Sequence, residues 1–243
     1  LCHGFARRET NIERQIIDTQ QIVKISRRPN HFRAYDENSF RGTMQTSFTN
    51  EKDYLSKTFS NISAMNQEIC NIEFEGCHFR DCNFTESIFK KCRFIECTFT
   101  RCNLSVIKVP QCQFTDVVFD ECKLVGVDWT RASWPRLVFS VSLKFNKCII
   151  NDSSFFGLTL DEIAMEECKA HDVDFRDGSF CRAVFTYTDF TNSLFGKTNL
   201  SGADFSEATN YDIDIFNNKI SKAMFSRYEA VRLLNSLDIE LVD

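Results

Sequence analysis

The sequence predicts an all-β rod of stacked coils, and three observations predict it. Large apolar residues recur at every fifth position from Phe74 onward, and a small residue stands two places before most of them. Glycine and proline are scarce, eight and three in 243 residues, while phenylalanine is abundant at twenty-five. A spacing of five fits neither the 3.6-residue turn of a helix nor the alternation of a flat strand. It fits a chain that turns a corner every five residues and points one large and one small side chain inward on each side. Such sides close into coils, and coils stack at strand spacing, about 4.8 Å.

Taken in order, residues 1–68 lack the period. Within them "NIERQIIDTQQIVKI" carries Ile12, Ile16, Ile17 and Val23 at helical spacing, which predicts a helix or irregular cap covering the first coil, whose open edge would otherwise invite pairing, the alternative being a flexible or partner-binding arm. The ladder then fills 69–225. Its large positions run through Phe79, Phe84, Phe89, Phe94 and Phe99 to Trp129, Trp134 and Phe139, then slip by one residue between Ser140 and Lys144 and resume at Phe145. An insertion there leaves at least one residue unpaired, as in a bulge. Each tryptophan has to widen the coil or turn outward, so at least one is expected to be partly exposed.

Nine of the twelve cysteines, from Cys77 to Cys168, occupy the small inward position, where a free thiol packs as a small apolar residue. That reading is a reduced packing ladder rather than a disulfide framework or a metal site, and it implies a reducing, cytoplasmic setting. Residues 226–243 close the chain. Ser226 and Glu229 are spaced as a capping box, and Ala230, Leu233, Leu234 and Leu237 form an apolar stripe behind it, so a short helix lying over the last coil is expected.

The units "CNFTE", "CRFIE", "CNLSV", "VDFRD" and "ADFSE" resemble the pentapeptide-repeat family over roughly residues 70–225. That resemblance implies a right-handed quadrilateral β-helix. The ending "LLNSLDIELVD" is similar to that of the Qnr and microcin-immunity members, which protect DNA gyrase and meet head to head through a C-terminal helix. It implies a homodimer through Leu233, Leu234 and Leu237.

Chemistry is hard to find. The histidines His3, His31, His78 and His171 stand in no metal or nucleophile pattern, and there is no HExxH, CxxC or phosphate-binding glycine loop. No enzyme and no cofactor are predicted. No apolar run approaches the 18 residues of a membrane span, and nothing resembles a signal peptide. Packing fixes the inward positions, so recognition has to be written on the outward ones. There Asp161, Glu162, Glu166, Glu167, Asp172, Asp174 and Asp177 stand against only Lys169 and Arg176, in a chain of net charge −5. A carboxylate-rich face on a rod of duplex width imitates DNA, which carries one phosphate per roughly 1.7 Å of axis. With the resemblance, this points to a protein partner, DNA gyrase or topoisomerase IV, to protection against toxins or quinolones, and to no direct contact with nucleic acid or membrane. The alternative is a bacterial effector or adaptor that is secreted into a host cell and binds host proteins.

Overall fold

Parallel pairing repeats along the chain at steps of one coil. Strand β1, Asp53–Leu55, pairs with Glu73–Glu75, which pairs with Arg93–Ile95 and then with Gln113–Thr115. The next side runs from Thr58–Ser60 through His78–Arg80, Thr98–Thr100 and Val117–Asp120 to Leu143–Asn146 and Ala164–Glu166. The computed structural model describes residues 51–134, 143–240 and 242. They form a parallel β-solenoid of about eight turns. Its four sides are named here by their inward columns. Side I holds Tyr54, Phe74, Phe94, Phe114, Trp134 and Leu160; side II holds Phe79, Phe99, Phe119, Phe145 and Met165. Side III holds Phe84, Leu104, Leu124, Ile150 and Ala170; side IV holds Phe89, Val109, Trp129, Phe155 and Phe175.

The interior is a stack of rings. Phe79 lies parallel to Phe99 at 4.4 Å between centroids, and Phe74 to Phe94 at 5.1 Å. Neighbouring sides meet edge to face, as Phe74 and Phe79 do at 5.3 Å and 72°. Both geometries suit the aromatic quadrupole. Trp129 is fully buried and stacks on Phe155. Trp134 is half-buried, lies over Phe114, and donates from Nε1 to the Trp129 carbonyl at 2.8 Å. The expected partial exposure of one tryptophan therefore falls on Trp134.

The small inward position has a chemistry beyond size. Cys102 N donates to Cys122 Sγ at 3.3 Å, and Cys122 Sγ donates to Phe99 O at 3.3 Å. Ser153 bridges Val127 N and Leu124 O in the same way, and Thr188 bridges Cys168 N and Met165 O. A side chain that both gives and takes a hydrogen bond satisfies backbone groups that would otherwise be buried unpaired. This explains why cysteine, serine and threonine interchange there. All nine ladder cysteines are buried, free thiols. Burial pushes the Cys97 thiol up to about 12, far from a reactive thiolate.

Almost every corner turns through a residue in the left-handed region, among them Asp81, Glu86, Glu96, Val106 and Asp116. Three differences from the sequence reading stand out. The first coil starts at Asp53, ahead of the boundary at residue 69. The slip is larger than one residue: the pairs that span it, such as Phe119 with Phe145 and Asp128 with Ser154, step by 26, where pairs on either side step by 20. Six extra residues therefore enter between Trp134 and Leu143. Phe139 and Ser140, like the N-terminal helical pattern, lie outside the described residues.

The third difference is at the C-terminus. Glu229–Leu237 is a 3₁₀ helix, and no side chain caps its start. The expected capping box does not form because the preceding coil takes both of its members. Ser226 Oγ accepts from Glu207 N at 2.7 Å, and Glu229 Oε2 accepts from Asn210 N at 3.2 Å.

Candidate functional site

A run of acids contiguous in sequence winds around this solenoid, whereas a stripe along it needs residues one coil apart. The seven predicted carboxylates accordingly form a belt touching all four sides. Asp161 and Glu162 end side I, Glu166 and Glu167 end side II, Asp172 ends side III, and Asp174 and Asp177 flank Phe175 on side IV. Glu162, Glu167, Asp172 and Asp177 are the four corners of one coil.

Several of the seven are already engaged. Glu162 pairs with Arg182 at 2.8 Å, Glu167 with Lys147 at 3.9 Å, and Asp174 with Arg176 at 2.8 Å. The hydrogen bond from Arg176 holds the Asp174 carboxyl below the usual range. Asp161 accepts from Ser179 Oγ at 2.7 Å and from Cys181 N at 2.9 Å. Exposed pairs of this kind neutralise surface charge while adding little stability.

Unmatched negative charge lies elsewhere, along two opposite corners. Between sides I and II, Glu96 sits one coil below Asp116, with Glu75 beside them. Between sides III and IV, Glu86, Val106, Gly126, Asp152 and Asp172 follow one another. Glu96, Asp116, Asp152 and Asp172 are exposed and take part in no ion pair among the described residues. Like charges stacked on adjacent strands, about 4.8 Å apart, repel. The corner between sides II and III avoids this, setting Asp81 against Arg101 and Glu167 against Lys147. Of the predicted acids only Asp172 belongs to an unmatched stack. The others escaped sequence reading because their signal has a period of 20, which no contiguous window shows.

The apolar positions predicted for dimer contact are also divided. In a 3₁₀ helix residues three apart eclipse, so Leu233 lies with Ala230, and Leu234 with Val231 and Leu237. Leu233 packs against the core, whereas Val231 and Leu237 remain exposed.

A stacked ladder of small and large inward residues with five to a side is what family comparison then matches. A family model described as a pentapeptide repeat region fits residues 72–143 and 127–205. The chain belongs to the pentapeptide-repeat family. Among solved structures, this pentapeptide-repeat protein is similar to a trypsin-treated variant of QnrB1, a plasmid-mediated fluoroquinolone resistance protein. The identity is 19% and the TM-score 0.50, over 82% of this chain and 95% of that one. A second trypsin-treated QnrB1 variant is 18% identical with a TM-score of 0.49, over 78% and 90% of the two chains. HetL, a pentapeptide repeat protein involved in heterocyst differentiation regulation from the cyanobacterium Nostoc sp. strain PCC 7120, is 13% identical with a TM-score of 0.37, over 72% and 87%. Comparison with curated proteins found no match. At these identities the likeness concerns the fold. Among the described residues no group of three or more His, Cys, Asp or Glu is arranged to hold a metal ion.

Proposed function

We propose that this protein is a non-enzymatic interaction protein whose acidic edges stand in for DNA on the basic, DNA-handling surface of a protein partner. The partner proposed is a bacterial type II topoisomerase, DNA gyrase or topoisomerase IV, and the outcome is protection from toxins or quinolones. The observation that carries this reading is the pair of uncompensated carboxylate stacks, Asp116 over Glu96 and Asp172 over Asp152. A surface that keeps like charges adjacent along its axis gives up stability that the Asp81–Arg101 arrangement retains. A cationic partner would relieve that repulsion. The family and the fold shared with a fluoroquinolone resistance protein make gyrase the partner to test first.

Retention of purified gyrase on the immobilised protein tests this. Binding is expected in low salt and should weaken as salt rises, because exposed charges are screened over about 8 Å at physiological ionic strength. The pair Asp152→Lys and Asp172→Lys should reduce affinity about tenfold or more without lowering the melting temperature. Glu166→Lys with Glu167→Lys should do less, since Glu167 already faces Lys147. No retention, or retention untouched by either pair, removes the reading.

We also propose that two copies meet at the C-terminal end, through Leu234 and Leu237 on the outer row of the 3₁₀ helix, with Leu233 anchoring that helix to the core. Sedimentation of Leu234→Asp should show a folded monomer. A wild-type protein that sediments as a monomer, or a variant of unchanged dimer mass, excludes this contact.

A further inference from the structure

The 3₁₀ helix Glu229–Leu237 is amphipathic, yet none of its residues is buried. Leu233 is its one half-buried contact with the core cluster, and the other anchors are polar. Asn210, itself in the left-handed region at φ 56°, is the centre of them. Its backbone N donates to Glu229 Oε2 at 3.2 Å, and its Oδ1 accepts from Arg232 Nη2 at 2.9 Å. Its Nδ2 donates to Asp189 Oδ1 at 2.9 Å, and Asp189 Oδ2 meets His171 Nε2 at 2.8 Å. A second tie joins Ser226 to Glu207. One side-chain chain thus runs from two coils below up to the helix.

Next to Asn210 lies a mismatch. Tyr211 is fully buried beside Phe205 and Phe225, and its hydroxyl has no hydrogen-bond partner among the described residues. Burial first, and then the nearby Glu229 charge, push the phenol up to about 12. A buried hydroxyl without a partner is costly, and hydration would recover that cost.

We propose that residues 226–240 are a releasable strap, held on the last coil by hydrogen bonds around Asn210 and by the half-buried Leu233, and that two copies of the chain part when it lifts. The second half rests on the proposed C-terminal contact, because docking is what sets the row of Val231, Leu234 and Leu237 in place. Segments with few buried contacts occupy the low end of the local-stability scale and open without the rest of the fold.

Hydrogen exchange on the full chain, at a dilution that gives monomer, reads the strap by itself. Amides of 229–237 should exchange on the order of a hundredfold faster than those of 98–100. Asn210→Gly keeps the left-handed backbone and its N–H bond to Glu229 but removes the side-chain bonds to Arg232 and Asp189, and Arg232→Ala removes the first of these. Each should raise strap exchange about tenfold while leaving 98–100 unchanged, and should weaken self-association in sedimentation about tenfold. Strap amides as protected as the coil, or exchange indifferent to both variants, overturn the strap. Faster strap exchange with unaltered self-association overturns its control of the contact between copies.

Discussion

Phe94→Ala is expected to be the most damaging single truncation on the rod, costing about 3–5 kcal/mol. Phe94 lies parallel to Phe74 at 5.1 Å and to Phe114 at 5.3 Å, and meets Phe89 and Phe99 edge to face at 5.5 and 5.6 Å. The adjoining coils cannot close over the missing ring, because ladder bonds such as Arg93 N to Ile72 O and Gln113 N to Cys92 O, both 2.9 Å, set their spacing. Lys90→Ala, at an exposed outward position with a loose 3.8 Å pair to Glu68, should stay within about 0.5 kcal/mol. Chemical denaturation of the two variants checks this, and equal midpoints would remove Phe94 from the interior.

Gly178→Ala should be the next most damaging, at about 1–3 kcal/mol. Position 178 is a small inward slot directly above Leu158, which is unusually large for its own. A Cβ at Gly178 would lie 2.6 Å from Phe180 Cε2 and 3.0 Å from Leu158 O. The Phe180 ring would have to leave the column, because the backbone oxygen has little room to yield. Gly157 supplies the contrast. It turns a corner at φ +67° with nothing within 4 Å of an added Cβ, and other corners take the same turn with Asn61, Asp81 or Lys91. Gly157→Asn is therefore expected to be near neutral. Thermal melts of both variants decide, and a neutral Gly178→Ala would mean the column has slack there.

The ladder was legible because each inward slot admits few side chains, so period five survives across many units. Its exceptions show what the period conceals. In the coil from Asp53 to Cys70 the small slots carry Lys57, Ile62 and Gln67, and Ile62 and Ala64 exchange sizes, so the coil lacks the signature although its backbone pairs normally. The insertion after Trp134 is one unit plus one residue. A five-residue register senses only the remainder, and Phe139 happened to keep the frame, so the sequence showed a slip of one. The ends depend on competition. Ser226 and Glu229 have the spacing of a helix cap, but Glu207 and Asn210 on the preceding coil hold them instead. The acidic edges are a matter of stacking: Asp152 and Asp172 are distant in sequence and adjacent on the rod.

Displacement of DNA from gyrase tests most directly whether the acidic edges take the place of a duplex. The anisotropy of a labelled duplex bound to purified gyrase would be followed as this protein is added. Release of the duplex in proportion to added protein is expected, at lower protein concentrations as salt is reduced, with the Asp152→Lys and Asp172→Lys protein releasing much less. A duplex that stays bound at saturating protein, or that Asp152→Lys and Asp172→Lys displaces as well as the wild type, would contradict the proposal that these edges imitate DNA.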